Sequence, residues 1–239
     1  MDIKGKISIV TGASKGIGKA IALALAEEGS HVAVSARNHE SLHQTAESIT
    51  ALGVECLAFT GDMASESSIT AFIDATITRF GRLDVLVNNA GVGHFHNIAD
   101  MPTNEWDAMF NLNVRGMFIA TRRAIPHLRR SGDSFVVNIA SLAGKNAFAG
   151  GGGYAASKHA VLAFSRCLML EERNNGIHVV AICPGSVNTA FFDSHRDISR
   201  ARTENMLLPE DVASSVLHAI RMPGRAMVSE IDIRPSMPR

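Results

Sequence analysis

The sequence predicts an α/β protein built on one doubly wound parallel sheet of seven strands, with helices on both faces. Three observations predict it. Short β-branched runs alternate with alanine- and leucine-rich helical stretches almost to the C-terminus. The run LDVLVNNAG at 83–91 is nearly all apolar until its end, as a strand covered on both faces must be. The first strand-like run passes directly into a glycine-rich turn and then a helix, the order that opens a βαβ unit.

Taken in order, KISIV (6–10) is the first strand, TGASKGIG (11–18) the turn, and Lys19 to Glu28 the first helix. Gly12, Gly16 and Gly18 remove side chains where a backbone turns sharply and approaches a ligand, and free amides at a helix start favour a phosphate. The spacing departs from G-x-G-x-x-G, so a tight turn without a ligand is the alternative. HVAVSARN from His31 is the second strand, ending near Ser35. In dinucleotide folds a residue about 20 positions past the loop meets the adenosine ribose; an acid there selects the free 2′-hydroxyl and an arginine accommodates a 2′-phosphate. Ser35, Ala36 and Arg37 stand here with no acid, and Arg37 together with Lys15 favours NADP over NAD.

A helix from about Glu40 to Leu52 leads to a third strand, VECLAFT (54–60), and to Asp62. Asp62 either contacts adenine or caps the helix that opens at Ser65 or Glu66 and runs through Phe80. The fourth strand ends in Asn88, Asn89 and Gly91, at the carboxyl edge where open α/β sheets bind ligands; a structural role at the strand end is the alternative for Asn88. A long helical stretch from about Thr103 to Arg130 carries Asn113, which is either a helix-bending residue or a polar site residue. FVVNIAS (135–141) is the fifth strand and delivers Ser141. Four glycines, Gly150 to Gly153, then lead to a helix from Tyr154 to about Arg173, and are expected to leave the substrate wall open. IHVVAICPG (177–185) is the sixth strand. Residues 186–208, with Phe191, Phe192 and His195, lack a strong period and are expected to form a mobile cover over the site. A helix over 209–220 and an alternating strand within 226–235, at or near an edge, close the chain. With no linker or repeat, residues 1–239 read as a single domain.

Tyr154 and Lys158 are four apart, so a helix stacks them on one face. A free phenol, with a pKa near ~10, is a poor acid or base at neutral pH, and a neighbouring ammonium favours its ionised form. Ser141, brought back by the loop, is placed to hydrogen-bond a substrate oxygen that exchanges a proton with Tyr154. On their own these residues also fit a solvated surface pair.

Composition narrows the partners. Basic and acidic residues number 23 each, which leaves no electrostatic footprint for nucleic acid. Neither a cleavable leader nor a run of ~20 apolar residues is present, so a soluble, cytoplasmic protein with no membrane partner is expected. The three cysteines are too scattered for a disulfide framework and are expected to be small buried apolar residues. His94 and His96 offer two metal ligands where zinc needs three or four, so no metal is expected. With Phe95, Asn146, Phe148, Phe191 and Phe192 they suggest a partly apolar pocket with neutral polar groups.

Together TGASKGIG, the NNAG at 88–91, Asn113, Ser141, Tyr154-x-x-x-Lys158 and the PGSVNT at 184–189 resemble the short-chain dehydrogenase/reductases of the short, single-domain type. The resemblance covers essentially the whole chain and lies nearest the 3-oxoacyl-carrier-protein-reductase-like members. It implies a Rossmann fold and hydride transfer between NADP(H) and a carbonyl or secondary alcohol. Tyr154 would be the general acid/base, Lys158 would hold the nicotinamide ribose and depress the tyrosine pKa, Ser141 would orient the substrate oxygen, and Asn113 would position a relay water. Gly12, Ser14, Lys15, Gly16, Ile17 and Gly18 would surround the pyrophosphate and adenosine side. Asp62 would meet adenine and Asn89 the span towards the nicotinamide. The strand-end Pro184 and Gly185, with Val187 and Thr189, would complete the cofactor site at its carboxamide and phosphate end. A homodimer or homotetramer is implied, although the C-terminal EIDIRPSMPR lacks the longer glycine-rich tail of many tetrameric members. The competing reading is a dinucleotide-binding sensor or scaffold without turnover, which has no need of Ser141, Tyr154, Lys158 and Asn113 together.

Overall fold

The computed structural model describes residues 1–192 and 206–236. Seven parallel strands, β1 (Ile7–Thr11), β2 (His31–Ala36), β3 (Cys56–Thr60), β4 (Val85–Asn88), β5 (Ser134–Ile139), β6 (Ile177–Pro184) and β7 (Glu230–Ile233), lie in the order β3-β2-β1-β4-β5-β6-β7. The alternating last strand does sit at an edge, though it is shorter than its sequence pattern.

Both faces of the sheet are covered, which explains the apolar strands. In β4, Val85 and Val87 enter one core with Val10, Val34, Val137 and Ile182, while Leu86 enters the opposite core with Ile9, Ala33, Val136 and Val179. Val85, Leu86 and Val87 are all fully buried, each such side chain contributing about 1.5–3 kcal/mol. The first core is roofed by α1 (Gly16–Glu27), α2 (His39–Thr50) and α7 (Pro209–Arg221). The second is roofed by α3 (Glu66–Phe80), α5 (Met117–Ser131) and α6 (Gly152–Glu172). At the amino edge of the sheet, buried Asp84 accepts from the Ile7 amide (3.0 Å), Arg82 and Ser131, and these donors hold its carboxyl below the ordinary range against the opposing effect of burial. This carboxylate ties β1 to β4 at the end of the sheet away from the candidate site.

Several sequence expectations are corrected. The helical stretch from Thr103 is broken: α4 (Thr103–Phe110) gives way to a π-helical turn, Asn111–Gly116, before α5. The turn is wide because Asn113 reaches out to the chain after β4, and Gly116 backs onto Met63, where a Cβ would lie 2.2 Å from the Met63 carbonyl oxygen. Three of the four glycines before Tyr154 do not open a wall, and only at Gly150 would a Cβ meet nothing within 4 Å. A Cβ on Gly151 would lie 2.3 Å from the Phe148 ring, one on Gly152 2.3 Å from Ile98, and one on Gly153 2.5 Å from Met109, so neighbouring side chains fill the space. Cys167 is exposed on α6, unlike buried Cys183.

The ends of the 186–208 segment are pinned together. Leu207 donates to the Ser186 carbonyl at 3.0 Å and Asn188 to the Leu207 carbonyl at 2.8 Å, beside a parallel bridge of Val187 with Leu207. Positions 193–205, His195 included, lie outside the described residues, and with them most of the expected cover. Among the described residues no helix is long and apolar enough to cross a membrane.

Candidate active site

From β1 the chain proceeds outward to β2 and β3, then returns to the other side of β1 to form β4. At such a switch the loops leaving the carboxyl ends of the two strands separate and leave a crevice. Here it is a cleft of about 1380 Å³. Gly12, Ser14, Lys15, Gly16, Ile17 and Gly18 line it after β1. Arg37 enters after β2, Asp62 after β3, Asn89 after β4, Ser141 after β5, and Pro184, Gly185, Val187 and Thr189 from the end of β6. Tyr154 and Lys158 face it from α6. Asn113 does not line the cleft; it lies buried behind it.

The glycine turn is clamped rather than merely tight. The Asn89 amide donates to the carbonyls of Thr11 (2.8 Å) and Gly12 (3.0 Å), while the Thr11 hydroxyl accepts from the backbone of Asn89 and Ala90, both at 3.0 Å. Asn89 therefore has a structural task beside its place in the cleft. A Cβ on Gly18 would lie 2.3 Å from that same amide nitrogen and 2.4 Å from the Gly12 carbonyl oxygen, neither of which is free to retreat. Gly18→Ala should destabilise the fold by about 1–3 kcal/mol and weaken NADPH binding in a fluorescence titration. Unchanged binding and melting would show that the turn has slack.

Asp62 accepts from the Ala64 amide at 2.9 Å, and the helix that follows is capped not by Asp62 but by Ser65, through the Ser68 amide. The Asn88 amide nitrogen is taken up by structure: it donates to Thr121 (3.0 Å) and to Asn138 (2.8 Å), whose own amide donates to Ser165 (2.8 Å). Arg37 and Lys15 form no hydrogen bond or ion pair with their side chains among the described residues, so both cations, one after β2 and one in the glycine turn, remain available to an anion. In β2 the buried Ser35 hydroxyl has no partner.

At the other end, Ser141 starts a short 3-10 turn, accepting from the Ala143 amide at 3.1 Å. Its hydroxyl acts on Tyr154, whose phenol burial pushes up to about 12, with the Ser141 hydrogen bond opposing that rise. Lys158, 6% exposed, donates to the Ile139 carbonyl at 2.8 Å and lies 5.9 Å from the Tyr154 ring centre. The expected depression of the phenol by Lys158 is absent here. The ammonium is aimed at a backbone carbonyl, and burial pushes Lys158 itself down to about 8.

That lysine has a measurable consequence. With a folded value of about 8 against an ordinary 10.5, it binds fewer protons folded than unfolded within that window, so stability rises with pH through it. Between about pH 8 and about pH 10 the wild-type protein should gain about 2 kcal/mol relative to Lys158→Met. Urea midpoints at the two pH values measure it; an identical pH response in both proteins would contradict a buried ammonium.

Sequence reasoning missed Ser157. Its buried hydroxyl donates to the Tyr154 carbonyl at 2.8 Å and accepts from the Asn113 amide at 3.1 Å. The Asn113 amide also donates to the Val92 carbonyl (2.9 Å), and its oxygen accepts from the Val92 amide (2.8 Å). The π-helical turn, the loop after β4 and the first turn of α6 are thus tied through one asparagine. No local pattern marks Ser157, whose side-chain partner Asn113 is 44 residues away. His94 and His96 both meet the same Glu105 oxygen, at 3.2 and 2.7 Å, and no group of three or more metal-ligating side chains forms among the described residues.

A doubly wound sheet with a clamped glycine turn, and a serine, tyrosine and lysine gathered at its switch point, defines a dinucleotide-type crevice with titratable groups at one end. A family model described as short chain dehydrogenase matches residues 6–199, and the chain belongs to that family of oxidoreductases. It is 35% identical over 239 residues to a glycine betaine reductase of Emericella nidulans, matching 98% of this chain but spanning only 19% of that relative. An alcohol dehydrogenase from the archaeon Thermococcus sibiricus, complexed with 5-hydroxy-NADP, superimposes with a TM-score of 0.90 at 30% identity, covering 98% of each chain. A variant of the actinorhodin polyketide ketoreductase, with NADPH, gives 0.89 at 32% identity, covering 97% of this chain and 96% of that one.

Proposed function

We propose that the protein reduces a carbonyl to a secondary alcohol with NADPH, within the part of the family that resembles 3-oxoacyl-carrier-protein and general ketone reductases. The observation that carries the reading is the convergence of Ser141, Tyr154 and Lys158 on the same cleft as the glycine turn. The relatives named alcohol dehydrogenase and ketoreductase, and the NADP or NADPH in their structures, support it.

The residues present fit the dinucleotide. Glycines leave the turn without side chains where Asn89 clamps it, and the first residues of α1 line the cleft, where helix-start amides favour a pyrophosphate. Arg37 and Lys15, unpaired, suit a 2′-phosphate better than a free hydroxyl. Asp62 is assigned to adenine, and Pro184, Gly185, Val187 and Thr189 to the nicotinamide end. When bound, NADPH supplies the hydride. Ser141 then orients the substrate oxygen, and Tyr154 gives it a proton. A phenol at about 12 stays protonated at neutral pH, which suits an acid in reduction; the reverse reaction needs the phenolate, so alcohol oxidation should speed up as pH rises.

Lys158 steadies the developing phenolate and takes part in proton resupply. The Asn113 oxygen keeps one acceptor site after binding the Val92 amide. A Cβ on Gly91 would lie 3.2 Å from that oxygen and 3.7 Å from Lys158 Nζ, so the same gap suits a relay water between them. The assembly is proposed to be a homodimer or homotetramer, and the domain to span the whole chain.

The test is NADPH oxidation against a panel of ketones and aldehydes, followed at the nicotinamide absorbance. Turnover supports the reading. Tight NADPH binding with no carbonyl reduced would replace it with the sensor or scaffold.

A further inference from the structure

We infer that Phe148, with Phe95 behind it, is the wall that selects the substrate, and that it takes a neutral aromatic ring carried on the carbonyl carbon. The inference rests on Tyr154 being the proton donor and goes beyond it to the substrate class.

The donor tyrosine is the inner end of an aromatic row that leads out of the cleft. Its ring lies 5.4 Å from Phe95, edge to face, and Phe95 lies 6.1 Å from Phe148. Phe191 stands 5.7 Å from Tyr154 and 6.4 Å from Phe95 on a second side. Each step falls in the range aromatic pairs prefer. Phe148 is the outer end: 48% exposed, it lines the cleft, and Phe95 is the one ring it meets among the described residues. A half-exposed aromatic ring lining a reaction cleft leaves room for one more ring to stack. A substrate ring placed there, with its carbonyl oxygen at Tyr154, continues the row by one member.

Phe148 is held in this position by a glycine. Its ring presses onto Gly151, where a Cβ would come within 2.3 Å of Cζ and 2.4 Å of Cε2. Gly151 has a φ of −97°, which any residue adopts, so its glycine is explained by the ring and not by the backbone. A side chain at that position would displace Phe148 from the cleft wall.

The surrounding charges favour a neutral partner. Lys145 is held by Asp232 (2.6 Å) and Glu230 (2.8 Å), and Arg234 reaches Asp232 at 3.5 Å. Glu105, the carboxylate beside the His94–His96 loop, is shared by the two imidazoles. An anionic substituent would lose its hydration without gaining a free cation at this wall, and a cationic one would find no free carboxylate to balance it. A saturated ring would be buried equally well but would gain nothing from the quadrupoles of the row.

The experiment compares kcat/KM of the full-length enzyme with NADPH for acetophenone and for cyclohexyl methyl ketone. Para-acetylbenzoate supplies the anionic arm. The cationic arm sets trimethylammonioacetaldehyde against its neutral isostere, tert-butylacetaldehyde, because a cation is also drawn to ring faces. The expected result is a preference of about tenfold for acetophenone over its saturated counterpart. Phe148→Ala and Gly151→Ala should each bring that ratio close to one, and Phe148→Tyr should keep it. Transferred saturation to the acetophenone ring protons, lost in Phe148→Ala, reads the same contact without turnover. A wild-type ratio near one, a ratio indifferent to Phe148→Ala, or a preference for the carboxylate or the trimethylammonium compound would overturn the inference. If NADPH is consumed only with non-aromatic carbonyls, the reductase stands and the aromatic wall falls; if no carbonyl is reduced, both fall.

Discussion

Tyr154→Phe should lower kcat/KM for carbonyl reduction by about 10²–10⁴ while leaving NADPH binding in place. The substitution removes one oxygen and keeps the ring that packs on Phe95 and Phe191. Lys158 retains its bond to the Ile139 carbonyl, so the cofactor side of the cleft is unaltered. The chain has one tyrosine, so no second phenol can take over. Stopped assays at the nicotinamide absorbance give the rate and NADPH fluorescence the affinity. Substantial turnover in the variant would place the proton donor elsewhere, with Ser141 the next group in reach.

Arg37→Asp should move the NADP-to-NAD ratio of kcat/KM towards NAD by roughly 10–10², since a hydrogen bond to a charged group contributes ~1.5–3 kcal/mol and the carboxylate adds repulsion. The fold should tolerate it. Arg37 is exposed, and the cap of α2 belongs to Asn38, which accepts from the Ser41 amide at 2.8 Å. Steady-state kinetics with both cofactors measure the ratio, and an unchanged value would count against Arg37 as the phosphate partner.

Much of the scaffold could be read from the chain because its signals are local. A strand buried on both faces is apolar on both, and β4 reads that way up to its last residue, Asn88; a strand at the margin alternates, and β7 does. The residues at strand ends were legible for the same reason, since the carboxyl edge of such a sheet is where loops carry chemistry. Failures came where a side chain answers to a distant neighbour. Nothing near Asn113 announces that it will bond Val92 and Ser157, yet those bonds accompany the π-helical turn that breaks the expected long helix. Gly150 to Gly153 read as open space, but whether a missing side chain leaves a gap depends on what packs into it: Phe148, Ile98 and Met109 close Gly151, Gly152 and Gly153, and Gly150 stays open. The spacing of Tyr154 and Lys158 put them on one face correctly. It said nothing of the Ile139 carbonyl that holds the ammonium, or of the burial that raises the phenol.

The most direct test follows a label. NADPH deuterated at the reactive nicotinamide position is incubated with the enzyme and a neutral ketone, and the alcohol is analysed by mass spectrometry. Deuterium on the carbinol carbon, formed by the wild-type protein and nearly absent with Tyr154→Phe, is the result predicted by a proton donor and a hydride source sharing one cleft. Product without the label, or equal labelling by the two proteins, would contradict it.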